Sequence, residues 1–285
     1  MRSTLRLVVL VCSAAGAGCG AGGARQINLV PIVLTTPPAA GSDEIGGMIV
    51  PVRFEGREAA LAIDTGSALT FLYTGRGSAE FTARAGAVEL GRESLDLPGR
   101  SFEADDETGA DIVGVLGADF LLGTTTEFDP CALEITRFEV GASPSVEGWT
   151  RVPLENVRGH IILTLTIDGH AKRLMWDTGS PHLLLINEAG RPGDSEARAS
   201  DVEGSEFVIY TGSAELSIPG EGPRTISALR APSFPYFEGT VEALGGNIAG
   251  LAGQSVFGHR RLLFDASRGV MLFSPPCGCK EPGAR

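Results

Sequence analysis

The chain has 285 residues, 43% of them hydrophobic, and a formal net charge of −12. That length allows one two-lobed body or two small domains with a sizeable core, and the acidic balance, with no basic patch among aromatics, argues against a nucleic-acid partner. Its 39 glycines and 17 prolines punctuate many short Val, Ile, Leu and Thr runs, which is the pattern of an all-β core.

At the start, Arg2 and Arg6 precede an apolar run from Leu7 to Val11, followed by small residues as far as Gly23. The run is too short to span a bilayer and has the build of a secretory signal, so residues 1–23 are expected to direct export. Two processing routes stay open. Ala15-Gly16-Ala17 resembles a signal peptidase site, whereas Gly16-Ala17-Gly18-Cys19 resembles a bacterial lipobox with Cys19 acylated and Gly16 where Leu is usual. The second route would place the protein in the periplasm or cell envelope on a lipid anchor, with residues 20–26 as a flexible tether. Cys12 would leave with the signal, and if Cys19 is lipidated then Cys131, Cys277 and Cys279 remain. Export favours oxidation, so one disulfide from Cys131 to Cys277 or Cys279 is expected.

Further along, the peptide Asp-Thr-Gly-Ser occurs twice, at Asp64 to Ser67 and at Asp177 to Ser180, an offset of 113 (177 minus 64). Each copy follows an apolar run, Leu61-Ala62-Ile63 or Leu174-Met175-Trp176. At the same offset Gly46 matches Gly159, Ile49 matches Ile162, Phe54 matches Ile167 and Gly56 matches Gly169. Both stretches read as strand, Gly turn, strand, sharp turn, strand. A second shared block follows, Gly114 to Gly117 against Gly250 to Gly253 and Phe128-Asp129 against Phe264-Asp265, now at an offset of 136 (250 minus 114). The second copy therefore carries 23 extra residues (136 minus 113) between the blocks. Such self-similarity predicts two lobes, at residues 28–145 and 150–275, with a tail at 276–285. Short helices are expected within 116–123 and 252–262.

One Asp-Thr-Gly alone is ordinary turn chemistry. Paired within a repeat, the two turns can meet across a pseudo-twofold axis and bring two carboxylates together, where they share one proton. Such a pair can activate a bound water and polarise a carbonyl. Other chemistries fit less well. Ser255 lacks the spacing of a nucleophile elbow. His160, His170, His182 and His259 lack metal-like spacing, no nearby Cys or His completes a ligand set with Cys277 and Cys279, and the acidic run Glu103, Asp105, Asp106, Glu107 and Asp111 fits no calcium loop. His182, five residues past Asp177 (182 minus 177), reads as a surface or hydrogen-bonded histidine.

With its two Asp-Thr-Gly-Ser turns and the apolar-Gly block after each, the chain resembles a bacterial retropepsin-like or pepsin-like aspartic peptidase with both lobes in one polypeptide. Val152-Pro153-Leu154, with Gly159 to Leu165 and Ile167 to His170 after it, is similar to that family's lead-in to its catalytic turn, and Val30-Pro31-Ile32 would open the first lobe in the same way. The resemblance implies an all-β, two-lobed pseudo-twofold fold with a few short helices, acting as a monomer on a peptide or protein substrate without metal or organic cofactor. It implies Asp64 and Asp177 as the catalytic pair, Thr65 and Thr178 linking the turns, Gly66 and Gly179 giving backbone freedom, and Ser67 and Ser180 bonding the outer carboxylate oxygens. It also implies a covering hairpin, for which the stretches near 76–92 and 198–214 are the candidates; Tyr73, nine residues past Asp64 (73 minus 64), comes too early to belong to one. The same fold could instead serve as a peptide-binding or envelope interaction module that cleaves weakly or not at all.

Overall fold

The computed structural model describes residues 24–28, 30–32, 47–73, 76–85, 88–98, 111–139, 142, 144–200, 206–258 and 260–276. Residues 1–23 with Cys19, for which an export role is expected, the acidic residues 103–107, His259, Cys277 and Cys279 lie outside these described residues. In the first copy, β1 (Ala24–Asn28) and β2 (Val30–Ile32) lead to β3 (Gly47–Phe54), β4 (Arg57–Ile63), β5 (Phe71–Leu72), β6 (Gly77–Ala85), β7 (Val88–Leu97), β8 (Ile112–Leu116), helix α1 (Ala118–Leu122), β9 (Thr126–Asp129) and β10 (Glu134–Phe138). The second copy runs β11 (Thr150–Val157), β12 (His160–Ile167), β13 (His170–Trp176), β14 (Leu183–Ile186), β15 (Ser195–Ser200), β16 (Glu206–Ser217), β17 (Arg224–Ala231), α2 (Pro235–Ala243), β18 (Gly250–Ala252), α3 (Gln254–Phe257), β19 (Leu262–Asp265) and β20 (Val270–Phe273).

Each lobe is built on the same local logic. β3 and β4 close a hairpin through Glu55 and Gly56, both at positive φ (50° and 80°), and β12 and β13 do so through Asp168 and Gly169 (50° and 78°). Two consecutive left-handed residues give the turn whose twist matches the flanking strands. β4 and β13 then end in the two Asp-Thr-Gly-Ser turns. The apolar-Gly blocks thread back beside them: β8 lies parallel to β4 and antiparallel to β5, and β18 lies parallel to β13 and antiparallel to β14. The glycines in these blocks are steric necessities. A Cβ on Gly114 would fall 2.2 Å from the Phe71 carbonyl oxygen, and one on Gly250 1.8 Å from that of Leu184.

The two copies are joined by a sheet that crosses the pseudo-twofold axis. β9 and β19 pair antiparallel with Phe128 opposite Leu262, Glu127 opposite Leu263 and Thr126 opposite Phe264. Because Phe264 and Phe128 are 136 residues apart, this register maps onto itself under the repeat, and the axis passes through the Glu127–Leu263 pair. β10 and β20 extend the sheet on either side, and β1 and β11 form its outer strands. The register also revises the equivalence read from Val30-Pro31-Ile32. Ile27 pairs with Ile135 as Val152 pairs with Met271, 136 residues further on (271 minus 135). β1 and β2 together therefore do the work of the single strand β11, and Ile27 stands where Val152 stands.

One continuous apolar core runs through both lobes, with Phe128, Trp176, Phe264 and Phe273 near the axis. A second cluster, including Ile162, Met175, Leu184, Phe237 and Leu251, packs under α2 on the second lobe alone. α2 accounts for part of the extra length of the second copy, and its Pro235 at the first helical position is the start signal that the sequence reading passed over. α1 and α3 fall inside the two stretches where short helices are expected. Arg230 is fully buried and answered by Asp194 at 3.0 Å and the Ser213 carbonyl at 2.7 Å, pinning the loop after β14 to the sheet. Cys131 is disulfide-bonded, and its partner lies outside the described residues.

The threading of β18 gives a direct test. Gly250→Ala is expected to cost about 3 kcal/mol or more, because the new methyl meets backbone that no rotamer change can move. Gly56→Ala, with open space around it, should cost only about 1 kcal/mol of left-handed strain. Urea unfolding of the two variants reads the difference; equal losses would contradict the packing described.

Candidate active site

The two Asp-Thr-Gly-Ser turns meet at the axis. Each aspartate begins as the last hydrogen-bonded position of a buried strand: the Asp64 N–H donates to the Leu116 carbonyl and the Asp177 N–H to that of Ala252, both at 3.1 Å. The turns then tighten, with the N–H of Ser67 on the Asp64 carbonyl (3.1 Å) and that of Ser180 on the Asp177 carbonyl (3.3 Å). The seryl carbonyls in turn accept the first N–H of each short helix, from Ala118 and Gln254, both at 2.9 Å. The helices thus hold the turns from behind.

Between the turns the two threonines exchange hydrogen bonds. The Thr65 N–H donates to Thr178 Oγ1 at 3.1 Å and the Thr178 N–H to Thr65 Oγ1 at 3.0 Å. Each hydroxyl passes its own proton across the axis to the strand preceding the other turn: Thr65 Oγ1 to the Trp176 carbonyl at 3.1 Å, and Thr178 Oγ1 to that of Ile63 at 2.9 Å. Both side chains are buried. Beneath them the Trp176 ring lies 4.6 Å from that of Phe264, 5.7 Å from Phe257 and 6.2 Å from Phe128. Trp176 is therefore a core residue, and its backbone carbonyl is part of the clasp.

In front of the clasp lie the carboxyls. One oxygen of each is held by its own turn, Asp64 Oδ1 by the Gly66 N–H at 2.9 Å and Asp177 Oδ1 by the Gly179 N–H at 2.8 Å. A Cβ on Gly66 would fall within 3.0 Å of atoms of both carboxyls, and one on Gly179 within 3.2 Å of both. The bare glycines are what let the acids converge. Asp177 is pushed well above the ordinary carboxylate value by burial, then by the charge of Asp64, then by side-chain hydrogen bonding with Asp64. A pair in this state holds one proton between two acids, so it can accept a proton at one oxygen while donating one at another.

The remaining expectations resolve as follows. Ser67 and Ser180 do not spend their hydroxyl protons on the outer carboxylate oxygens: Ser67 Oγ donates to the Leu69 carbonyl at 2.8 Å and Ser180 Oγ to the His182 carbonyl at 3.1 Å. A hydroxyl has one proton, and here it closes the loop after the turn. Both candidate covering stretches are hairpins, β6 with β7 and β15 with β16. β6 is tied near its outer end to the edge of the axis-crossing sheet by pairing Arg84 with Gln26. His182 is half-buried, and its backbone carbonyl carries the contact to Ser180. Two residues to which the sequence reading gave no part stand beside Asp64. Burial lowers the His160 imidazole below its ordinary value, with the Gly66 carbonyl and then the Asp64 charge acting the other way, and Tyr73 is raised above its ordinary value first by burial and then by the Asp64 charge. Only their positions relative to the repeat could have singled them out.

Among solved structures the chain is similar to basic 7S globulin from soybean, at 10% identity and a TM-score of 0.50, over 92% of this chain and 99% of that one. It is likewise similar to the protein edgp, at 9% identity and a TM-score of 0.51, over 88% of this chain and 94% of that one. The fold is that of the pepsin-like aspartic proteases. No family model matches the chain, and no curated protein matches it. Membership of the bacterial retropepsin-like or pepsin-like aspartic peptidase family, which the sequence resemblance implied, is therefore corrected: the matched structures belong to a different family. The physical reason is that paired Asp-Thr-Gly turns and threading glycines are demands of the backbone arrangement, so they mark the fold and not a lineage.

Two outcomes follow from this geometry. Thr65→Val or Thr178→Val leaves a buried N–H and a buried carbonyl without partners, and each variant is expected to lose about 2–6 kcal/mol in denaturant unfolding, at about 1–3 kcal/mol per orphaned group. The Asp177 proton gives the second. Its folded value lies above its unfolded one, so the folded state holds the proton longer and stability falls as pH rises from the ordinary value of 3.8 toward the folded value. Asp177→Asn removes that loss, so its melting temperature should rise relative to wild type as pH increases over that window. A constant difference across pH would rule out the raised value.

Proposed function

We propose that the protein is an aspartic-type endopeptidase, hydrolysing peptide bonds with a water held between Asp64 and Asp177. The observation that carries this reading is the convergence of the two carboxyls, atoms of both lying within 3.0 Å of the point where a Cβ on Gly66 would sit, at a site where burial and the Asp64 charge raise Asp177. In the resting dyad Asp177 bears the proton and Asp64 the charge. Asp64 takes a proton from the water as its oxygen attacks the substrate carbonyl carbon, while Asp177 gives its proton to the carbonyl oxygen. The tetrahedral diol then collapses: the amide nitrogen takes the proton held by Asp64, the carbon–nitrogen bond breaks, and Asp177 recovers a proton from a diol hydroxyl. The preorganised turns provide positioning, and the protons balance without a further reagent. Both halves of the dyad come from one chain, so the reaction is assigned to a monomer, and the N-terminal segment supports export to the envelope.

A second reading, peptide binding without cleavage on the same fold, draws on the anchoring of β6 to β1, which holds one candidate cover to the sheet at its outer end. Digestion of an unstructured protein such as denatured casein between pH 3 and 7 separates the two. The proposal expects cleavage by wild type and a loss of at least about a thousandfold in Asp64→Asn and in Asp177→Asn, the order seen when an acid/base or charge-stabilising group is lost. Equal rates in wild type and both variants would overturn it, and binding without cleavage would favour the second reading.

A further inference from the structure

Helix α2 and the end of β14 enclose a hollow of about 180 Å³ on the second lobe. Ile186, Phe234 and Val241 give it apolar walls, and Glu238 and Glu242 line its α2 side. These walls are held from behind. Ile186 belongs to the second apolar cluster, with Phe234 and Val241 packed against it. The Phe234 ring lies 4.8 Å from that of Phe207 at the start of β16 and 6.0 Å from that of Phe237. Ile186 also ends the strand that leaves the Asp177 turn. Its N–H donates to the Ala249 carbonyl at 3.0 Å, as the N–H of Tyr73, its match on the repeat offset (73 plus 113), donates to that of Val113 at 2.9 Å. The space is well below the roughly 300–1,000 Å³ of pockets that take drug-sized molecules; it suits a single side chain.

The charges on α2 are arranged for a cation that the described residues do not bring. Glu238 and Glu242 are exposed and stand one helical turn apart, at the spacing where like charges repel. Glu242 lies in the last turn, where the helix end is itself negative and where α2 has no basic residue. Among the described residues neither carboxylate has an ion-pair partner. We propose that this hollow binds the basic side chain of a peptide, a lysine or an arginine, with its aliphatic stem against Ile186, Phe234 and Val241 and its cation between Glu238 and Glu242. A stem of methylenes with a charged head divides in this way between apolar wall and acidic rim. The walls alone would accept any aliphatic side chain; the paired carboxylates favour a cation and repel an acid. That a peptide carries the cation rests on the peptide reading of the site at the axis, whereas recognition of the cation by the hollow does not depend on cleavage.

The test is binding to the full chain carrying Asp64→Asn, which keeps peptides whole, read by fluorescence anisotropy at neutral pH and low salt. The probes are short dye-labelled alanine peptides with one central lysine, arginine, norleucine or glutamate. The lysine and arginine peptides should bind about tenfold tighter than the norleucine peptide, and the glutamate peptide least well. Glu238→Gln and Glu242→Gln should each remove about threefold of that preference, the double variant should abolish it, and it should fade in about 0.5 M salt. Val241→Ser should weaken the lysine and norleucine peptides alike, by about threefold. Equal binding of the lysine and norleucine peptides overturns the proposal, as does a lysine preference that survives in the double variant. Butylammonium binding at the hollow while no peptide binds would give the site to a free amine and overturn it too. Failure of wild type to cleave casein, with the lysine preference intact, would sink the peptidase reading and leave this site standing; cleavage without that preference would do the reverse.

Discussion

The exchange of hydrogen bonds between Thr65 and Thr178 is the constraint on which the rest depends. Two carboxyls repel as they ionise, and nothing in their own chemistry would bring them together. The threonines do it by making each turn complete only in the presence of the other: each backbone N–H finds its acceptor across the axis, and each hydroxyl proton reaches the strand before the opposite turn. Both threonines are buried, so separating the turns would break four hydrogen bonds shared by six polar atoms. The repulsion is then relieved in the one way left to it, by one acid keeping a proton.

Packing on either side of the clasp makes it rigid. Below it, Trp176 and three phenylalanines fill the axis, and the pairing of β9 with β19 closes the two copies into one sheet. Behind it, β8 and β18 pass so close to neighbouring backbone that only glycine fits at Gly114 and Gly250. These are demands of geometry and do not depend on the surface. They explain how a chain can share this fold over most of its length with basic 7S globulin and edgp at 9–10% identity. Such a likeness carries backbone arrangement, and the chemistry has to be argued from the side chains at the axis.

Duplication gave two equal scaffolds, and what differs between them is informative. Among the described residues, α2 and its apolar cluster belong to the second lobe alone, as does the buried charge group around Arg230. At the axis itself the difference is smaller and chemically sharper, a histidine and a tyrosine beside one aspartate and no titrating side chain at the matched positions of the other lobe.

The repeat made much of this legible in the chain itself. The two Asp-Thr-Gly-Ser turns, the apolar runs before them and the glycine blocks after them are local patterns, and local patterns survive reading one residue at a time. They determined an all-β, two-lobed body, the meeting of the turns, and the short helices behind them. What lay beyond reach depended on contacts between residues distant in sequence. The fate of the Ser67 and Ser180 hydroxyls, the equivalence of Ile27 with Val152, the tethering of β6 to β1, and the place of His160 beside Asp64 are all such contacts. The hydroxyl of a serine or the ring of a histidine has several partners within reach of its own segment, and only the packed chain chooses among them.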